Sequence, residues 1–329
     1  MQHEKVILAI IAIVASLGNT LTVLLFIKNP TWLRKTYNCL IFALAIQDIL
    51  QAVCIMILPG YILHENVYTL PSDATSRWVF CKIFWSEYFI FTLGITSVYT
   101  CLMLTFDRFL AVVMPLSYKK YEQSKIVVFL TVLFPWIAGM CLEVTTPLRA
   151  TAIDVNGTAK CSWKTQEYSS KNVLVATFTF LGMVIVPGIL MVIAYRRIIV
   201  HMRRSQRRVA TIRNNKEKAR QTIALKSLRK VTRTAFLASN VIIVCWLPDQ
   251  LYYALSLVNL TELGTTTHFI VKSIAFVNSC LNPFREGLRE LFGCLCCKAQ
   301  GELRKSDSNY TQICGIATAI RQNLPKVNH

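Results

Sequence analysis

Seven runs of mostly apolar residues, separated by short polar connections, organise the chain. They cover Val6–Ile27, Tyr37–Leu63, Ile83–Phe106, Ile126–Leu148, Asn172–Tyr195, Thr234–Val258 and Thr265–Phe284. Each reaches the roughly 20 residues that a helix needs to cross the hydrocarbon of a bilayer. The first and fifth carry no Asp, Glu, Lys or Arg. The fourth, sixth and seventh carry one each: Glu143, Asp249 and Lys272. The pattern predicts an all-α membrane protein, a bundle of seven spanning helices. The first run reads as a span rather than a cleavable leader, because its uncharged stretch is long and lacks a clear small-residue cleavage site.

Composition and charge then fix an orientation. The 329 residues are 54% hydrophobic and 16% charged, with a mean hydropathy of +0.45, yet the net charge is +19. Basic residues must therefore be segregated from apolar ones. The connection Arg196–Arg233 alone holds 14 Lys and Arg against one acid, Glu217. Basic loops stay cytoplasmic, which predicts an outer amino terminus and an inner carboxyl terminus. The "RRSQRR" patch then faces anionic membrane lipid rather than nucleic acid. No internal repeat is visible, which argues against a transporter built from duplicated halves. A channel would need a continuous polar path, and the polar groups stop at a mid-membrane cluster. No nucleophile, base and orienting group come together, and neither H-E-x-x-H nor G-x-S-x-G occurs, so an enzyme is not expected.

Two of the twelve cysteines fall at the predicted outer surface, Cys81 and Cys161. The exterior is oxidising, so a disulfide is expected between them, pinning the outer loop to the third span. Asn156 in "NGT" and Asn259 in "NLT" are glycosylation sequons on the same side. Cys294, Cys296 and Cys297 follow the seventh span and are palmitoylation candidates.

Ionisable groups inside a bilayer are costly and mark function. Asp48 lies midway along the second span, and Asn19, Ser97, Asn278 and Asn282 offer polar partners on other spans. Such an oxygen-rich ring suits a sodium ion or a proton; a polar network that merely holds helices together is the alternative. Asp107 and Arg108 stand together at the inner end of the third span. Pro187, Pro248 and Pro283 interrupt the fifth, sixth and seventh spans, where they should kink them.

These residues resemble the rhodopsin-like (class A) G-protein-coupled receptors. The resemblance rests on "GN" (Gly18, Asn19), "LAIQD" (Leu44 to Asp48), the tryptophan and cysteine of "RWVFC", "DRFLAVVMPL", Trp136, Pro187 with Tyr195, "CWLP" (Cys245 to Pro248) and "NP" (Asn282, Pro283). All seven spans take part. The resemblance implies a receptor domain over residues 1–292, ending in a short amphipathic helix, and a disordered tail over 293–329. It also implies a plasma-membrane location and a heterotrimeric G-protein partner, with arrestin and a receptor kinase to follow. No cofactor is required beyond an allosteric sodium ion at Asp48, Ser97, Asn278 and Asn282. Asp107 would restrain Arg108 at rest, and Leu116 would enter an apolar pocket on the G protein. Trp246 would form the floor of the ligand pocket and couple it to the kink at Pro248, with Tyr195, Asn282 and Pro283 completing the switch. One departure stands out. The family's N-P-x-x-Y reads "NPFRE", so Glu286 replaces a tyrosine, and altered activation energetics are expected.

The resemblance also narrows the ligand. Ile90 stands where amine receptors carry an aspartate, and Phe276 where opsins carry their lysine, so neither a monoamine nor retinal is expected. Glu87, Asp249, Gln250, Tyr252, Tyr253, His268 and Lys272 lie in the outer halves. Glu87 and Asp249 would receive a basic group of a peptide through charge-assisted hydrogen bonds, unless Lys272 neutralises one of them internally. "CWLPDQLYY" and "CSW" give the chain the look of a neuropeptide receptor. An orphan or constitutively active receptor is the alternative.

Overall fold

The computed structural model describes residues 2–63, 67–155, 158–164, 169–213 and 215–282. Its first helix, α1 (Gln2–Lys28), shows how the sequence pattern becomes packing. Leu8, Ala12, Ala15 and Asn19 recur at helical spacing and are buried, while Ile10, Ile13, Leu17 and Leu24 are exposed. In a bilayer that outer stripe contacts lipid, and the inner stripe meets the next helix. After a 3₁₀ turn at Pro30–Arg34 comes α2 (Thr36–Ile57). It stops short of the expected Leu63 because Leu58 precedes Pro59 and is forced out of the helical region, to ψ 146°. Gly60, at φ 86°, then turns the chain.

The third span begins earlier than its hydropathy suggests. A short helix, Ala74–Val79, is capped by Asp73, whose Oδ2 accepts from the Ser76 amide at 2.8 Å. That amide holds the Asp73 carboxyl below the usual carboxylate range. A π-helical turn, Phe80–Trp85, follows, then Glu87 in the left-handed region at φ 66°, and then α3 (Tyr88–Val113). A helical connection, Pro115–Gln123, leads to α4 (Lys125–Leu142), which Ser124 caps. Strands β1 (Ala150–Val155) and β2 (Thr158–Trp163) form an antiparallel hairpin. Next come α5 (Ser170–Ala210) and α6 (Asn215–Leu257). The last described helix, α7, covers residues 266–282. Among the described residues six helical runs are long and apolar enough to cross a membrane.

The bundle is built around α3, which packs on α2, α4, α5 and α6. Two glycines permit the closest approaches. A Cβ on Gly139 of α4 would lie 2.3 Å from Thr96 Oγ1, and one on Gly94 of α3 would lie 1.8 Å from a ring carbon of Trp246. Small residues at such crossings let backbones meet without lipid between them. Helix α7 is tied to α1 and α2 by polar contacts. Asn19 Nδ2 donates to the Ser279 carbonyl at 3.0 Å, and Ser279 Oγ donates to Gln51 Oε1 at 2.6 Å.

One expectation is corrected here. The basic stretch 196–233 is not a loop, since α5 runs to Ala210 and α6 starts at Asn215. Outside the bilayer Lys, Arg, Glu, Gln and Ala are good helix formers, so both helices continue beyond the apolar part. Proline behaves differently in the two. Pro187 follows a π-helical turn, Leu181–Ile185, that widens the helix ahead of it. Pro248 stands inside α6, where it has no amide to give the carbonyl four residues back. Pro283, Glu286, Asn156, Cys294, Cys296, Cys297, the short helix after α7 and the tail 293–329 lie outside the described residues.

Candidate functional site

The polar groups gather in three tiers along the bundle axis. At one end the Cys81–Cys161 disulfide joins β2 to the start of the third span, with the Cα atoms 5.4 Å apart. The hairpin is thereby held over the helices, and Trp163 packs on Trp85 with ring centroids 5.0 Å apart. Beneath it opens a cleft of about 390 Å³ lined by Tyr61, Trp85, Glu87, Trp163, His268 and Lys272, among others. Lys272 Nζ donates to both Glu87 oxygens, at 2.9 and 3.1 Å, and sits 4.9 Å from the centre of the Tyr61 ring. The left-handed backbone at Glu87 directs that side chain and is costly for a non-glycine residue, as functional positions often are.

Asp249 is not in that ion pair. It is 1% exposed, its Oδ2 accepts from Gln250 Nε2 at 3.1 Å, and its Oδ1 meets no donor among the described residues. The Tyr253 hydroxyl lies 3.2 Å from Thr145 Oγ1 and 3.1 Å from Thr146 Oγ1. His268 Nδ1 accepts from the Gly264 amide at 3.0 Å, and its ring stacks on Tyr252. Ile90 is fully buried in the apolar core rather than lining the cleft. Sequence reasoning missed two members of this tier, Glu143 and Arg149. Thr146 Oγ1 donates to Glu143 Oε2 at 2.9 Å, and Arg149 donates to Ser256 Oγ at 3.2 Å, its guanidinium lying over the Tyr253 and Trp163 rings. The lone acid of the fourth span was the signal for Glu143; nothing in the sequence marked Arg149.

In the middle tier, Asn282 Nδ2 donates to Asp48 Oδ2 at 2.7 Å. Asp48 Oδ1 and Asn278 Oδ1 are buried acceptors without donors among the described residues. Two such hard oxygens fit a small cation. Ser97 Oγ lies 3.3 Å from Gln47 Oε1 and 3.0 Å from the Leu93 carbonyl, to which it can donate, with Thr100 closing the same network. Gln47, unremarked in the sequence, thus ties Ser97 to Thr100. Just above, Trp246 is fully buried, edge-on to Phe91 and Phe276, its centroid 6.4 Å from each of theirs.

At the far end, Arg108 Nε donates to Asp107 Oδ2 at 3.0 Å, and a second guanidinium nitrogen reaches the same oxygen. Asp107 is fully buried. The guanidinium also lies over the Tyr37 ring. Tyr195 lies within 3.2 Å of Thr105 Oγ1 and 3.3 Å of Ser239 Oγ, which links α5, α3 and α6. Outside the membrane segments, burial first and the Asp107 charge second push the Tyr118 phenol above its ordinary range. Leu116 projects from the helical connection at 84% exposure. The three tiers are joined by α6, which carries Ser239, Trp246, Pro248, Asp249 and Tyr253.

Residues 18–284 match the family described as "7 transmembrane receptor (rhodopsin family)". The chain is 27% identical over 304 residues to the allatostatin-A receptor of Bombyx mori, covering 86% of this chain and 78% of that protein. It is 24% identical over 309 residues to galanin receptor 2a of Danio rerio, with 88% and 78% covered.

Proposed function

The chain belongs to the rhodopsin family of seven-transmembrane receptors, and from that premise we propose that it takes a peptide from outside the cell into the cleft beneath the disulfide and activates a heterotrimeric G protein at the Arg108 end. The observation that carries this reading is the separation of an open polar cleft from a buried acid–arginine pair at opposite ends of α3, whose N-cap Glu87 lines the cleft and whose last turns carry Asp107 and Arg108. The likeness to receptors named for allatostatin-A and galanin, both peptide ligands, supports the ligand class.

The amino terminus and hairpin then face outward, and the basic ends of α5 and α6 face the cytoplasm and its anionic lipids. In this reading the receptor works in the plasma membrane. A ligand held by α6 beside Asp249 and Tyr253 pulls on the helix just beyond Pro248. Trp246, packed against Gly94, transmits the shift to the lower half of α6. The outward movement of that half separates Ser239 from Tyr195 and Thr105, and opens a cleft beside Arg108. Once Arg108 leaves Asp107, its guanidinium meets the G protein, and Leu116 inserts into an apolar pocket on the same partner. In the middle tier Asp48, Ser97, Asn278 and Asn282 would hold sodium, which supplies a fixed positive charge that favours the resting packing. Asn259, exposed in the turn before α7, is an outward-facing sugar acceptor. An arrestin and a receptor kinase would act on the same inner face afterwards.

The test is a signalling assay in cells carrying a promiscuous G protein, with a panel of amidated peptides that includes galanin and allatostatin-A. Wild type and Arg108→Ala are compared at matched surface expression. A peptide response that Arg108→Ala removes is expected. Ligand-free signalling that no peptide alters, and that Arg108→Ala removes, would replace the peptide reading with a constitutively active receptor.

A further inference from the structure

We infer that the peptide carries a basic side chain, and that its positive charge is received not at Glu87 but one layer deeper, in a subsite made by Asp249, Gln250 and Glu143. The inference deepens the peptide-receptor reading and rests on it.

Three acids are buried or nearly so at this end of the bundle, Glu87, Asp249 and Glu143, against two bases, Lys272 and Arg149. His268 adds no charge in this arrangement, because its Nδ1 accepts a hydrogen bond and only the other nitrogen holds a proton. Lys272 gives its hydrogen bonds to Glu87. Arg149 gives hydrogen bonds to Ser256 and covers two aromatic rings, and among the described residues no carboxylate receives one from it. Among the described residues neither Asp249 nor Glu143 receives a hydrogen bond from a base.

Unpaired acceptors mark the open positions. Asp249 Oδ1 and Gln250 Oε1 both lack donors among the described residues, and the two side chains are 1% and 2% exposed. Buried acceptors without donors are expensive, so a native structure rarely keeps them unless something else supplies the donors. Gln250 already turns its amide nitrogen to Asp249, which leaves its carbonyl oxygen pointing away as a second acceptor. Glu143 is linked to α6 through Thr146 and the Tyr253 hydroxyl. A guanidinium or ammonium matches this set, because it offers several donors and a positive charge together. Its arrival at Asp249, three residues from Trp246 and next to Pro248, puts the new contact at the proline break of α6.

The test uses the full chain in lipid nanodiscs and two probes of the same shape, N-acetyl-arginine amide and uncharged N-acetyl-citrulline amide, at millimolar concentration. The arginine probe should raise the thermal midpoint of wild type and of Asp249→Glu, and the citrulline probe should not. Asp249→Asn should weaken the arginine effect at least about tenfold, as loss of a charge-assisted hydrogen bond requires; Glu143→Gln should weaken it severalfold. Equal stabilisation by both probes, or an undiminished effect in Asp249→Asn, overturns the subsite. If Asp249→Asn fails to fold, the arginine–citrulline comparison on wild type decides. A second arm separates this inference from the receptor reading. A peptide agonist whose potency survives replacement of every Arg by citrulline and every Lys by norleucine overturns the subsite and leaves the receptor standing. Stabilisation by the arginine probe in a receptor whose ligand-free signalling no peptide alters supports the subsite and overturns the peptide reading.

Discussion

The guanidinium of Arg108 lies 4.1 Å from the centre of the Tyr37 ring while its Nε donates to Asp107 at 3.0 Å. Arg108 is therefore held from two sides, by a carboxylate on its own helix and by an aromatic face on α2. A partly desolvated cation–π contact is worth about 1–2 kcal/mol, enough to shift a two-state resting equilibrium by roughly five- to thirtyfold. Tyr37→Ala should raise ligand-free signalling, and Tyr37→Phe should leave it near wild type because the ring face remains. Basal second-messenger output at matched surface expression checks both.

Neutralising the carboxylate should act in the same direction. Asp107 is fully buried and both of its hydrogen bonds from Arg108 reach one oxygen. Asp107→Asn removes the charge that holds the guanidinium, so basal output should rise. Arg108→Ala should silence the receptor whatever stands at position 107. A double variant that still signals would contradict this order of action.

Gly94 should tolerate nothing larger. A methyl group there would overlap the Trp246 ring, 1.8 Å from its nearest carbon. Overpacking of this kind costs about 1–3 kcal/mol. Gly94→Ala should lower the thermal midpoint of the purified receptor, and Trp246→Leu should restore most of the loss in the double variant. Additive losses would show that the two side chains do not share that space.

The ion pair at the cleft predicts opposite effects for its two halves on a cationic ligand. Glu87→Gln frees Lys272 to neutralise Asp249, so potency should fall. Lys272→Met leaves Glu87 and Asp249 both uncompensated, so potency of a basic peptide should hold or rise. Dose–response curves for the two variants, run beside wild type, decide the sign.

Loss of the disulfide should be severe. Cys81 and Cys161 are 80 residues apart in sequence, and closing a loop of that size is worth on the order of 4–5 kcal/mol in the chain-entropy view. Cys161→Ser should reduce surface expression and lower the thermal midpoint. Binding should suffer too, because the hairpin that carries Trp163 over the cleft is released.

The sequence by itself determined the spanning helices, the disulfide and the polar residues that face inward. The reason is that lipid imposes a one-dimensional rule: about 20 apolar residues in a row, with every polar exception requiring a partner. Asp48, Asp249 and Lys272 were visible because they break that rule. The rule ends where the bilayer ends. It could not tell that the basic residues after Tyr195 continue α5, or that those before Thr234 already belong to α6, because in water a charged helix and a charged loop have the same hydropathy. Nor does it assign partners. Only the tertiary structure decided that Lys272 goes to Glu87 and leaves Asp249, that Gln47 ties Ser97 to Thr100, and that Tyr37 covers Arg108. These pairings depend on how helices distant in sequence are rotated against one another, which is fixed by close approaches such as Gly94 on Trp246 and Gly139 on Thr96. Arg149 is the limiting case: nothing in its sequence neighbourhood marks it, and its place over Trp163 and Tyr253 exists only because the hairpin is folded down onto the bundle.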